Sequence, residues 1–156
     1  YADKDTCKGL RHNFPYCFKE HLYPGVPKLN LHTVVPHKAF PIGDCTVTPI
    51  EVMHGEMPIM GYRIGNFAYI TDMKTINATE LPYLEGVDTL VVNALRWKKE
   101  HHSHQLIAYA IAFSRAINAK RTYLTHLTHE IGLHEEAQQR LPENIFFAYD
   151  GLETDV

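Results

Sequence analysis

Cysteine is scarce and unpaired in pattern: Cys7, Cys17 and Cys45 are an odd number with no C-x-x-C spacing. That excludes a disulfide framework and makes a reducing, cytoplasmic setting the expectation. Positive charge is not in excess either. Fifteen Lys and Arg stand against 18 Asp and Glu, a net charge of −3, so there is no basic field to hold nucleic acid or an anionic membrane. No apolar run approaches the roughly 20 residues needed to span a bilayer. Phosphate-cradling loops of the G-x-G-x-x-G or Walker type are missing, which removes the common nucleotide-binding folds. So is G-x-S-x-G, which leaves Ser103 and Ser114 without a hydrolase context.

Histidine is what the chain has in abundance, 11 of 156 residues, and imidazole is the commonest metal ligand near neutral pH. Hydrophobic residues make up 45% and charged residues 21%, the balance of a chain that folds around a core. A chain of this length reads as one domain or part of one. Residues 1–28 interleave aromatics with Pro15, Pro24, Gly25 and Pro27, an irregular packed segment with a short helix at Asp5–His12. Residues 29–156 carry the sheet and helices.

Strands are expected at Leu29–Val35, Thr46–Met53, Met60–Ile64, Phe67–Thr71, Asp88–Asn93, Arg121–Leu124 and Ile145–Ala148, from alternation or β-branched runs. Gly65-Asn66 is a two-residue hairpin turn, and Pro41 to Asp44 reads as another turn. Ser103 occupies the position of a helix N-cap. Leu106, Ala110, Phe113 and Ile117 follow it at helical spacing. A second helix is expected over Leu133–Arg140, stopped by Pro142. Helices alternating with short apolar strands imply an α/β sheet covered by helices.

In such sheets functional groups gather at the carboxyl ends of strands. His54, Asp72 and His126 each follow a strand directly. Two imidazoles and a carboxylate suit Zn²⁺, Mn²⁺ or Fe²⁺, although singly each is equally a solvated turn residue. His104, in Lys98-Lys99-Glu100-His101-His102-Ser103-His104, would lie in a first helical turn, where anions are attracted and a proton could pass to a phosphoryl or leaving-group oxygen. A cap or loop role explains it as well. Cys7, His12, Cys17 and His21 fall at gaps of five, five and four, unlike the paired spacing of structural zinc sites. Arg96-Trp97-Lys98-Lys99 could stack on a nucleotide, but a short basic cluster is more often a solvated loop.

Taken together, His54-Gly55, Gly61-Tyr62-Arg63, Tyr69-Ile70-Thr71-Asp72, His104, Leu124-Thr125-His126-Leu127-Thr128-His129 and Ala148-Tyr149-Asp150-Gly151 resemble the metallo-β-lactamase superfamily. Within it the likeness is to the branch containing the phosphodiesterase of the carbon–phosphorus lyase pathway. The resemblance implies an αββα sandwich and hydrolysis of a small phosphate ester at a centre of two divalent ions, zinc or manganese. It implies His54, Asp72 and His126 as ligands, with Asp72 bridging, His104 as the catalytic group at the phosphate, and His129 orienting His126 by hydrogen bonding. The family's H-x-H-x-D-H motif does not occur in the sequence. The expectation is therefore a partial domain, 1–156, that forms the C-terminal portion of such a fold, one sheet with flanking helices. Alone it would hold one ion or none and turn over poorly. Val91, Ile70, Ala68 and Val52 are expected on an inner face that a homo-oligomer could cover. The alternative is a non-catalytic metal-binding or protein-interaction module.

Overall fold

The computed structural model describes residues 1–20 and 23–155. Its organising element is a sheet of seven strands in sequential order. These are β1 (Phe40–Ile42), β2 (Cys45–His54), β3 (Met57–Ile64), β4 (Phe67–Ile70), β5 (Thr89–Asn93), β6 (Arg121–Thr125) and β7 (Ile145–Phe147). Pairing is antiparallel from β1 to β4 and parallel from β4 to β7. Two reversals carry the chain from β2 through β3 to β4, so β2, β4, β5, β6 and β7 all run in one direction. Their carboxyl ends share one edge of the sheet, and that edge carries the site.

The hairpin turn at Gly65-Asn66 forms as the dipeptide requires, with Gly65 at φ +59°. Gly55, at φ +64°, makes the matching turn between β2 and β3. Phe40–Ile42 is a short edge strand rather than part of a turn, and Pro41 is tolerated there because an edge strand need not donate on both sides.

Helices α1 (Lys4–Asn13), α2 (Ile107–Ala116) and α3 (His134–Gln138) complete the regular structure. Asp3 caps α1, its carboxylate accepting from the backbone N–H groups of Asp5 and Thr6. Leu106, Ala110, Phe113 and Ile117 are all buried, as their spacing requires. Ala110, Phe113 and Ile117 join a core with Ile50, Val52, Ala68, Ile70, Leu90, Val92 and Leu124.

Three expectations fail for identifiable reasons. Leu29–Val35 forms no strand; its bridge, Thr33 to Ala2, ties it to the N-terminal segment and not to the sheet. Leu29, Asn30, His32, Thr33 and Val35 are exposed while Val34 alone of the segment is buried, so the alternation yields no continuous buried face. Ser103 does not cap α2, which starts at Ile107 after an uncapped Leu106. The intervening backbone is bonded elsewhere, Gln105 N–H to Met73 O and Leu95 N–H to Gln105 O. The second helix stops at Gln138, whose amide donates to Ile145 O and accepts from Phe147 N–H, pairing the free edge of β7.

The two faces of the sheet also sort differently than expected. Val52, Ala68 and Ile70 face the helices and are buried. Val91 does not accompany them: it lies in register with Tyr69 and Tyr123, and Tyr123 with Phe146. A row of Tyr62, Tyr69, Val91, Tyr123 and Phe146 thus occupies the opposite face, where Tyr69 and Phe146 are exposed.

One close approach in the core is testable. A Cβ on Gly61 would lie 2.9 Å from Ile70 Cγ1 and 3.2 Å from its Cγ2. Gly61→Ala should therefore cost about 1–3 kcal/mol through overpacking, read as a lower urea midpoint. The same change in an Ile70→Ala background should cost less. Equal losses in both backgrounds would refute the steric account.

Candidate metal centre

Each group at the shared edge arrives by a different route. His54 closes β2. Asp72 stands two residues beyond β4, and His126 directly follows β6. Asp72 and His126 both take φ +61°, the left-handed region that non-glycine residues enter at about 1–3 kcal/mol and that clusters at functional sites. The turn in each backbone re-aims a side chain that would otherwise continue along its strand. His104 comes from the irregular loop ahead of α2, three residues before the helix begins. The helix N-terminal position expected for it is not where it lies.

Donor atoms of Asp72, His104 and His126 all lie within 4.8 Å of one another. His126 Nδ1 is 3.4 Å and His104 Nδ1 3.8 Å from Asp72 Oδ1. His54 joins through His104, the two Nε2 atoms being 3.4 Å apart. The His104 ring lies 4.5 Å from that of His126 and 5.0 Å from that of His101. Burial holds the His104 pKa below its ordinary value, helped by His126 and His54 and opposed by Asp72. His104 Nδ1 is buried without a hydrogen-bond partner. A buried polar nitrogen left open beside a carboxylate and further imidazoles is what a divalent cation would satisfy.

His129 does not come close in this way. It is exposed at the start of a single 3-10 turn, His129–Ile131, and among the described residues no hydrogen bond joins it to His126. Cys7 and Cys17 are buried thiols. Among the described residues they form no metal-capable cluster with His12, and His21 lies outside those residues. The basic cluster is structural: Arg96 and Lys99 both bind Glu130, at 2.6 and 2.9 Å, and hold its carboxyl below the usual range. The Trp97 ring is covered by Arg140, 3.8 Å from the ring centre, and its Nε1–H donates to Ile131 O.

A supporting residue that sequence reasoning passed over is Asn93, fully buried at the end of β5. Its side chain accepts from Met73 N–H at 2.8 Å and donates to Met73 O at 2.9 Å. Its own carbonyl accepts from Gln105 Nε2 at 3.0 Å. Asn93 thereby ties the residue after Asp72 and the residue after His104 to the central strand. The available signal was a polar residue ending the apolar run Thr89–Asn93.

The family model "Beta-lactamase superfamily domain" matches residues 1–127. The crystal structure of a diphosphatase from the PhnP family is similar, with TM-score 0.84 and 36% identity over 97% of this chain and 55% of that one. An octanoyltransferase of Porphyromonas gingivalis is 42% identical over 153 residues, which are 98% of this chain and 31% of that protein. The chain thus spans under a third of that relative and little more than half of the diphosphatase. The fold alone is shared with YhfI of Bacillus subtilis, at 19% identity and TM-score 0.61. It is shared likewise with zinc-bound PqqB of Methylobacterium extorquens, at 18% and 0.58. The family match over most of the sequence agrees with strand-end histidines and an aspartate gathered on one sheet edge: the chain belongs to the metallo-β-lactamase superfamily.

Proposed function

We propose that this domain carries part of the catalytic centre of a metal-dependent hydrolase that cleaves small phosphate esters as a phosphodiesterase. His54, Asp72 and His126 would hold divalent metal, zinc or manganese, and His104 would serve the phosphate. The observation that carries this is the convergence of four groups, from two strand ends, a post-strand turn and a loop, around an open buried nitrogen. The 36% identical diphosphatase supports the substrate class. The acyl transfer named for the Porphyromonas gingivalis protein does not match this reading, and the shared segment is 31% of that protein.

Three imidazoles and one carboxylate fit a borderline divalent ion. Such an ion supplies Lewis acidity at a phosphoryl oxygen and a nucleophile competent at neutral pH. Asp72 Oδ1 faces the Nδ1 atoms of both His104 and His126, at 3.8 and 3.4 Å. Burial and its histidine neighbours disfavour the imidazolium form of His104, against the pull of Asp72. An arriving phosphate anion favours its imidazolium form, so that a proton held on the ring can pass to the departing oxygen. Nucleic acid and membrane are not expected partners at net charge −3, and no helix among the described residues is long and apolar enough to cross a membrane.

A second reading makes His104 itself a ligand, favoured by the 4.8 Å grouping of Asp72, His104 and His126. Zinc titration of the chain against a chromophoric chelator separates the two. Asp72→Asn and His126→Ala should each weaken binding about tenfold or more, given that even outer partners of metal sites cost that much. His104→Ala, which removes no ligand on the first reading, should weaken binding less than either. A loss in His104→Ala equal to that in His126→Ala would assign it to the ligand set, and unchanged affinity in all three variants would refute the centre.

The depressed His104 pKa also fixes a pH dependence. Its folded pKa lies below the unfolded value, so the unfolded chain binds the proton more readily. The stability linked to His104 is complete above the ordinary histidine range and lost as pH falls through the folded value. The urea midpoint of the metal-free chain should fall from about pH 7.5 to about pH 5.5, and His104→Gln should flatten that fall. An identical pH profile in His104→Gln would contradict the burial argument.

A further inference from the structure

The loop from His101 to Gln105 has no regular structure, and its last residue alone is tied by backbone bonds, to Met73 and Leu95. Secondary structure therefore does not set the orientation of the His104 ring. Nor does a hydrogen bond at Nδ1, which has no partner. Its side-chain hydrogen bond is at Nε2, 3.4 Å from His54 Nε2, which holds one atom of the ring and leaves the ring plane free to tilt about it.

His101 restrains that tilt. Its Nδ1 lies 3.3 Å from Ser103 N and 3.3 Å from Ser103 Oγ. A backbone N–H can only donate, so His101 Nδ1 is an acceptor and the neutral ring carries its proton on Nε2. This bond fixes the ring of His101 against a buried serine. Ser103 in turn seats on the turn after His54: a Cβ at Gly55 would lie 3.5 Å from His102 O and 3.6 Å from Ser103 Cβ. The His101 ring is stacked on His104, 5.0 Å away and 22° from parallel, with His102 tilted 4.3 Å away.

We infer that His101 is a positioning residue, locked by Ser103 and stacked on His104 so that His104 Nδ1 stays turned toward Asp72 and His126. The assignment of His104 to the phosphate rests on the reading above; the restraint on its ring does not.

Two-bond ¹H–¹⁵N correlation spectra of the metal-free chain read the ring directly. In wild type, His101 should show the Nε2–H tautomer and His104 one set of ring signals. His101→Ala should split or broaden the His104 signals. His101→Phe, which keeps a stacking ring, should restore one set; His101→Asn, which keeps only an acceptor for Ser103 N–H, should not. A single sharp His104 set in His101→Ala, or rescue by Asn equal to that by Phe, would overturn the inference. Failure of wild type to bind zinc would strike the proposed function and leave the ring measurement standing.

Discussion

The buried amide of Asn93 is the interaction on which the edge of this sheet depends. It satisfies both backbone groups of Met73, and its main chain accepts from Gln105. All three residues are buried. Any of these polar groups left unpaired would cost about 1–3 kcal/mol, so the arrangement is held as a unit. Because Met73 follows Asp72 and Gln105 follows His104, one residue at the end of β5, through its side chain and its main-chain carbonyl, links a carboxylate and an imidazole that are 32 positions apart in sequence.

Around that anchor, direction and backbone conformation do the rest. Parallel orientation of β2, β4 and β6 brings their carboxyl ends to one edge, with an intervening strand between successive members. Neighbouring strands sit about 4.8 Å apart, so side chains from alternate strands can meet only if they lean toward the strand between them. The left-handed conformations at Asp72 and His126 provide that lean, and the loop that brings His104 beside His54 packs over Gly55. Strain at two ligand candidates and a buried nitrogen without a partner are local costs borne by a well-packed sheet, a pattern that belongs to functional sites.

Much of this was legible in the sequence. Alternation located β2 to β4, the β-branched run located β5, and the Leu106, Ala110, Phe113, Ile117 spacing located the buried face of α2. The strand-end rule picked out His54, Asp72 and His126 before any geometry. What could not be read depended on contacts distant in sequence. Leu29–Val35 alternates like a strand but finds no sheet to join, and Ser103 has the chemistry of a cap but is drawn into the core beside Gly55. Val91 belongs to the opposite face from Ile70 because the register pairs it with Tyr69. Asn93 has no local signature that distinguishes a clamp from a strand terminus, and a positive φ at Asp72 or His126 is invisible where glycine is not required.

The central claim is that imidazoles and a carboxylate at this edge form a metal centre. X-ray absorption at the zinc edge of the zinc-loaded chain tests it most directly. The account predicts a shell of nitrogen and oxygen at about 2.0–2.1 Å with the outer scattering of two or more imidazole rings, diminished in His126→Ala. Sulfur scattering at about 2.3 Å, which would place the ion on a cysteine such as the exposed Cys45, or a shell without imidazole, would contradict it.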